Sequence, residues 1–174
     1  MKLYIVYGAP CSGKSTYVKN HIGNNDLVYD YDELVRVLSC GKEHTVEKGN
    51  VHKYVIDFRK RILQRAKQET ELDNMWIIST FLTEQFKEYI KDMNPEYIKM
   101  DETKETCIER LMNDDTRPDK DKWAEKINEW FEHYQNEQRK KQLILKIDLL
   151  DLKRGWDFDR ERKRKKDSQG VQQV

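Results

Sequence analysis

The chain has 174 residues, with 33 Lys and Arg against 32 Asp and Glu, a net charge of +1. A charged fraction of 37% and a mean hydropathy of −1.00 demand a strongly polar surface, while the length suffices for one domain with a real core. No run is apolar enough to span a membrane, no signal-like segment precedes the first apolar run, and Cys11, Cys40 and Cys107 make neither an even disulfide framework nor a metal spacing. These features argue against a membrane protein, a disulfide scaffold and a zinc module, and a reducing, cytoplasmic setting is expected.

Leu3 to Tyr7 reads as a short buried strand. Gly8, Ala9, Pro10, Cys11, Ser12, Gly13, Lys14 and Ser15 follow it and fit G-x-x-x-x-G-K-[ST]; Thr16 to His21 continues as helix, ended by Gly23-Asn24-Asn25. Leu27 to Tyr31 reads as a second strand. Asp32 stands where it should stop and is a reasonable N-cap for a helix with Val35 and Leu38 inward. Residues 40–50 read as loop. Val51 to Lys67 is an amphipathic helix whose stripe is Val55, Phe58, Ile62 and Ala66, with Arg59, Arg61 and Arg65 on a basic face beside it.

Met75 to Thr80 is an apolar run suited to a parallel strand covered on both faces. A helix follows over Thr83 to Met93, with Phe86, Ile90 and Met93 inward, and Pro95 closes it. Tyr97 to Met100 is a fourth strand, and Glu102 to Met112 a helix carrying Cys107, Ile108, Leu111 and Met112. Asn113 to Lys122 is a polar loop. Trp123, Ile127, Trp130, Phe131 and Tyr134 mark a last amphipathic helix to about Lys141. Leu143 to Leu150 is a plausible fifth strand, although periodicity alone fits helix as well. From Lys153 to Lys166, eight Lys or Arg face three acids, which reads as a mobile basic tail over 151–174. Strands alternating with helices imply a three-layer α/β sandwich on a five-stranded parallel sheet, in one domain over residues 1–150.

The chemistry converges on the carboxyl ends of those strands. A loop of inward N–H groups at a helix start can hold a phosphate chain. Lys14 brings a positive charge to the outer phosphates, and the Ser15 hydroxyl suits a phosphate-bound Mg²⁺. Asp32 is the candidate base for an acceptor hydroxyl. Asp30, on the same face of its strand, is a weaker candidate for a metal-bound water. Arg110 and Arg117 are candidates for neutralising the transferring phosphoryl group, with 113–122 as a lid that closes over the nucleotide. Arg36, one turn beyond Asp32, is the candidate contact to an anionic acceptor.

This layout resembles the small P-loop kinases, in particular phage-type polynucleotide 5′-kinase domains and the related zeta-toxin and chloramphenicol-phosphotransferase groups. The residues that carry the resemblance are the Gly8–Ser15 loop, Asp32 after the second strand, and the arginine-bearing stretch from Cys107 through Arg110 to Arg117. It covers about residues 1 to 148, and implies a nucleoside/nucleotide-kinase-like P-loop fold, ATP and Mg²⁺. It also implies that Asp32 activates the acceptor hydroxyl, that Lys14 and Ser15 serve phosphate and metal, and that Arg117 and Arg110 stabilise the transferring group. Two departures bear on the acceptor. The third strand ends Ile78-Ser79-Thr80-Phe81-Leu82 with no acid, and Val35 stands where the family has an arginine three residues after the base. The expected activity is transfer of the γ-phosphate of ATP to a hydroxyl, with a nucleic-acid 5′ end as the first acceptor. A nucleotide or other small molecule, and an NTP-hydrolysing accessory role, remain as alternatives.

Overall fold

The computed structural model describes residues 1–41, 44, 49–68 and 71–169, with side chains through residue 144. Strand β1 (Lys2–Tyr7) lies inside a parallel sheet, flanked by β3 (Asn74–Ser79) and β4 (Glu96–Lys99), with β2 (Leu27–Asp30) beyond β3, so the order is β2-β3-β1-β4. Leu3 pairs with Met75 and Tyr7 with Ser79, while Asp30 pairs with Ile78. Tyr7, Asp30 and Ser79 therefore finish at one edge of the sheet.

Alternation along the strands separates two cores. Leu3, Ile5, Tyr29, Met75 and Ile77 face one side. They pack there with Val35 of helix α2 (Tyr31–Leu38), Val55, Leu63 and Ala66 of α3 (Val51–Ala66), and Phe86 and Ile90 of α4 (Glu84–Ile90). Val6, Trp76 and Ile78 face the other side, against Val18 of α1 (Lys14–His21). Strand β3, covered on both faces, buries Met75, Trp76, Ile77 and Ile78, as its continuous apolar run demands. The Tyr29 hydroxyl donates to the Val55 carbonyl at 3.0 Å and ties β2 to α3.

Helix α5 (Lys104–Met112) buries Cys107 and Leu111 but leaves Met112 exposed. Helix α6 runs from Lys120 to Gln169. The expected fifth strand over 143–150 is part of this helix, and the described residues form a four-stranded sheet. The physical reason is the absence of a breaker: no Gly or Pro occurs between Lys120 and Arg154 to turn the chain back toward the sheet. The chain divides into two units, Met1–Phe131 with the sheet and Glu132–Val174 with the remainder of α6. The expected loop over 40–50 falls largely outside the described residues, and so do the side chains of the basic segment from 153.

Three local expectations need correction. The N-cap of α2 is Asp30 and not Asp32, because β2 ends one residue earlier than the apolar pattern indicates. Leu38, expected inward, is exposed at the end of α2. On α3 the buried side is turned toward Leu63, and Phe58 is 46% exposed. A stripe read at intervals of three, seven and eleven tolerates either neighbour, and packing chooses between them. No helix among the described residues is long and apolar enough to cross a membrane.

Candidate active site

The loop between β1 and α1 is built on two glycines. A Cβ at Gly8 would meet the Met100 Cβ and the Ser12 Oγ, both at 3.0 Å. Gly13 caps α1 at φ 87°, in the left-handed region that glycine occupies without strain. Between them the Ser12 N–H donates to the Ala9 carbonyl at 3.3 Å, and the Ser12 hydroxyl is buried without a partner.

Lys14 folds back over this loop. Its ammonium donates to the carbonyls of Gly8 at 2.9 Å and Ala9 at 2.6 Å. Burial pushes its pKa down to about 8, against the opposing pull of Asp32 and Asp30. A cation short of solvent and close to two carboxylates is poised to take an anionic partner.

Ser15 and Asp30 meet across the end of the sheet. The Ser15 hydroxyl donates to Asp30 Oδ2 at 2.8 Å, while Asp30 Oδ1 accepts from the N–H groups of Asp32 at 3.1 Å and Glu33 at 3.4 Å. Asp32 thus sits in the first turn of α2, placed by the cap before it. A hydroxyl and one carboxylate are hard oxygen donors of the kind Mg²⁺ takes, alongside phosphate oxygens and water. No cluster of three or more His, Cys, Asp or Glu suited to a metal occurs among the described residues.

Two cavities open from this edge. One, about 490 Å³, is lined by residues 10–16, with Lys19, Arg110 and Arg117 around it. The other, about 550 Å³, is lined by Tyr31, His52, Arg59, Phe81, Trp123 and Lys126 among others. Lys14, Asp30, Asp32 and Thr80 belong to the walls of both.

Arg110 and Arg117 share the wall of the smaller cavity with the Gly8–Ser15 loop. Arg110 Nη1 donates to the Cys11 carbonyl at 3.4 Å, and its Nη2 to Glu102 at 2.9 Å. Arg117 is 18% exposed; Nη1 donates to Asp114 Oδ2 at 2.5 Å and its guanidinium lies 4.9 Å from the Trp123 ring centre. Arg36 lines neither cavity. It pairs with Glu33 and donates to the Gly41 carbonyl at 3.4 Å, so the structure does not bring it to Asp32 and the acceptor side.

The cations that line the 550 Å³ cavity apart from Lys14 are Arg59 and Lys126. A faint signal marked Arg59: it stands four residues after Val55, nearer the buried stripe than Arg61 or Arg65. Lys126 stands three residues after Trp123 on the same helix. His44, in the wall of the smaller cavity, had no local signal.

Neither a protein-family model nor a curated protein matches the sequence. Among solved structures, the fold is similar to a chain of the "Structure of the Pnkp1/Rnl/Hen1 RNA repair complex", at a TM-score of 0.54 and 19% identity. The match covers 76% of this chain and 45% of that one, so this chain spans less than half of its length. The class defined by the fold is an α/β domain with a four-stranded parallel sheet among the described residues.

Proposed function

We propose that this protein transfers the γ-phosphate of ATP to a hydroxyl, and that the acceptor is the 5′-hydroxyl of a nucleic acid. The observation that carries the reading is the shared wall: Lys14 and Asp32 stand between a cavity built on the phosphate loop and a second one lined by aromatic rings and cations. In-line transfer needs donor and acceptor on opposite sides of the group that moves.

The roles follow from position. The loop from Gly8 to Thr16 cradles the triphosphate, and Lys14 exchanges its two carbonyl partners for phosphate oxygens. Ser15 and Asp30 would hold Mg²⁺, which when bound neutralises charge on the phosphate oxygens. Asp32 orients the acceptor hydroxyl and accepts its proton as the new P–O bond forms. Arg117 and Arg110 offset charge on the transferring group from the wall of the 490 Å³ cavity. Tyr31 and Phe81 offer surfaces for a base, and Arg59 and Lys126 suit the phosphate that follows it in a strand. The similarity of the fold to a chain of an RNA repair complex supports a nucleic-acid acceptor.

The test is transfer of labelled γ-phosphate from ATP to a 5′-OH oligonucleotide. Wild type should label it only with Mg²⁺, and Asp32→Asn should lose about 10²–10⁴-fold in turnover while still binding ATP. An unlabelled oligonucleotide beside an active control kinase would overturn the acceptor assignment. A second reading, a nucleotide-sized acceptor, is favoured by the 550 Å³ of the cavity, within the ordinary range for small-molecule sites. Competition between free nucleotides and oligonucleotides separates the two.

A further inference from the structure

His44 lies in the wall of the 490 Å³ cavity with Glu33 and Arg117. Its backbone is fastened to the lid and to α6: the N–H donates to the Thr116 carbonyl at 2.8 Å, and its carbonyl accepts from Trp123 Nε1 at 3.3 Å. Its side chain is 17% exposed, with Nε2 3.8 Å from Glu33 Oε2, while Nδ1 is buried and has no hydrogen-bond partner. Arg117 shows the same pattern. One end of its guanidinium is held by Asp114, and Nε is buried without a partner. Folded proteins pair such atoms, with water or with a ligand where no protein group serves. Here two of them, on segments joined by a backbone hydrogen bond, border the same anion-suited cavity as Lys14.

We propose that His44 is a further phosphate-binding group of this cavity: with a polyphosphate seated on Lys14, His44 Nδ1–H and Arg117 Nε–H donate to its oxygens from the lid side. This rests on the reading of Gly8–Ser15 as a phosphate cradle, and on no choice of acceptor. With the polyphosphate bound, the ring lies between two anions, with Nε2 3.8 Å from Glu33 Oε2 and Nδ1 on the phosphate side, so the imidazole takes up one proton as the anion arrives. The groups that face it are Asp32, Glu33 and Arg36 on α2 and Arg117 on the lid. In the free protein, burial and then Arg117 hold His44 below its usual range, although Asp32 and Glu33 pull the other way. Near pH 7 the ring is therefore mostly neutral before the anion binds.

The experiment uses the full chain and inorganic tripolyphosphate, followed by calorimetry at about pH 7 in two buffers of different ionisation enthalpy. Lys14 is already mostly protonated at that pH and contributes little uptake. Wild type should take up a proton on binding. His44→Gln should lose most of that uptake and bind about tenfold more weakly, the expected worth of a charge-assisted hydrogen bond. Imidazole NMR of the wild type needs no variant: the His44 ring should move to the imidazolium form when tripolyphosphate is added. Equal uptake and affinity in the two proteins, a ring that stays neutral, or no binding of tripolyphosphate each overturn the proposal. Labelling of a 5′-OH oligonucleotide with His44 silent would sink this inference and leave the kinase reading standing. A responsive His44 with no transfer to any hydroxyl would do the reverse.

Discussion

Ser15 and Asp30, fifteen positions apart in the chain, share a hydrogen bond of 2.8 Å that joins the start of α1 to the end of β2. The same carboxylate caps α2 through Asp32 and Glu33. One side chain therefore fixes the proposed metal hydroxyl and the proposed base relative to each other. Asp30→Ala removes both links. The lost cap should cost about 1 kcal/mol of stability. Turnover should fall further, about 10–100-fold, with more Mg²⁺ needed for half-maximal rate, because a carboxylate proposed to hold the metal, and the partner of the Ser15 hydroxyl, is gone. Thermal melts and Mg²⁺ titrations of the rate separate the two effects. A variant that loses stability alone would reduce Asp30 to a cap.

Lys14 makes stability depend on alkaline pH with an unusual sign. Its folded pKa, about 8, lies below the ordinary 10.5, chiefly through burial. Between those values the unfolded chain binds the proton that the folded chain has released. Stability from this group must then rise with pH across that window, by up to about 1.4 kcal/mol per pH unit, and the penalty is complete below it. Lys14→Met should be more stable than wild type near neutrality, and the difference should shrink as pH climbs from about 8 toward 10. Urea melts at a series of pH values check this. A difference independent of pH would mean that Lys14 is solvated in the free protein.

Helix α3 offers a test of packing. Leu63 is 1% exposed although it stands off the apolar stripe read from the sequence, and Phe58, on that stripe, is 46% exposed. Leu63→Ala should cost about 2–5 kcal/mol through the cavity it leaves. Phe58→Ala should change stability by no more than about 0.5 kcal/mol. Denaturant midpoints of the two variants decide it, and a large loss at Phe58 would place that ring in a contact the isolated chain does not show.

What could be read in the chain was what is local. The Gly8–Ser15 loop is one continuous stretch in which each residue type has its own physical reason, and the strands before and after it announce themselves by alternation or by unbroken apolar runs. Asp30 was harder, because its role turns on β2 stopping one residue early, below the resolution of any periodic pattern. The helical course over 143–150 was hidden by an apolar run that suits strand and helix equally, and the missing breaker was the better guide. The Arg36 assignment failed to reach the cavity for a different reason: Glu33, one helical turn before it, claims the guanidinium. Arg59, Lys126 and His52 gather around one cavity from α3 and α6, and no spacing in the chain reports that kind of meeting.

Arg59 and Lys126 supply the test of acceptor size. In the proposed complex the hydroxyl-bearing sugar lies at Asp32, its base against the aromatic rings, and the next phosphate at these two cations. Each cation that neutralises a backbone phosphate releases condensed counterions, so binding weakens as salt rises. Arg59→Gln should raise KM for a 5′-OH oligonucleotide with little effect on the maximal rate, since the group acts on binding and not on the reacting atoms. The slope of log affinity against log salt should become shallower by about 1, and Lys126→Gln should do the same. For a nucleoside acceptor lacking any phosphate, neither variant should change KM. Equal losses with both acceptors would instead assign Arg59 to packing, where its guanidinium lies 4.6 Å from the Phe86 ring centre.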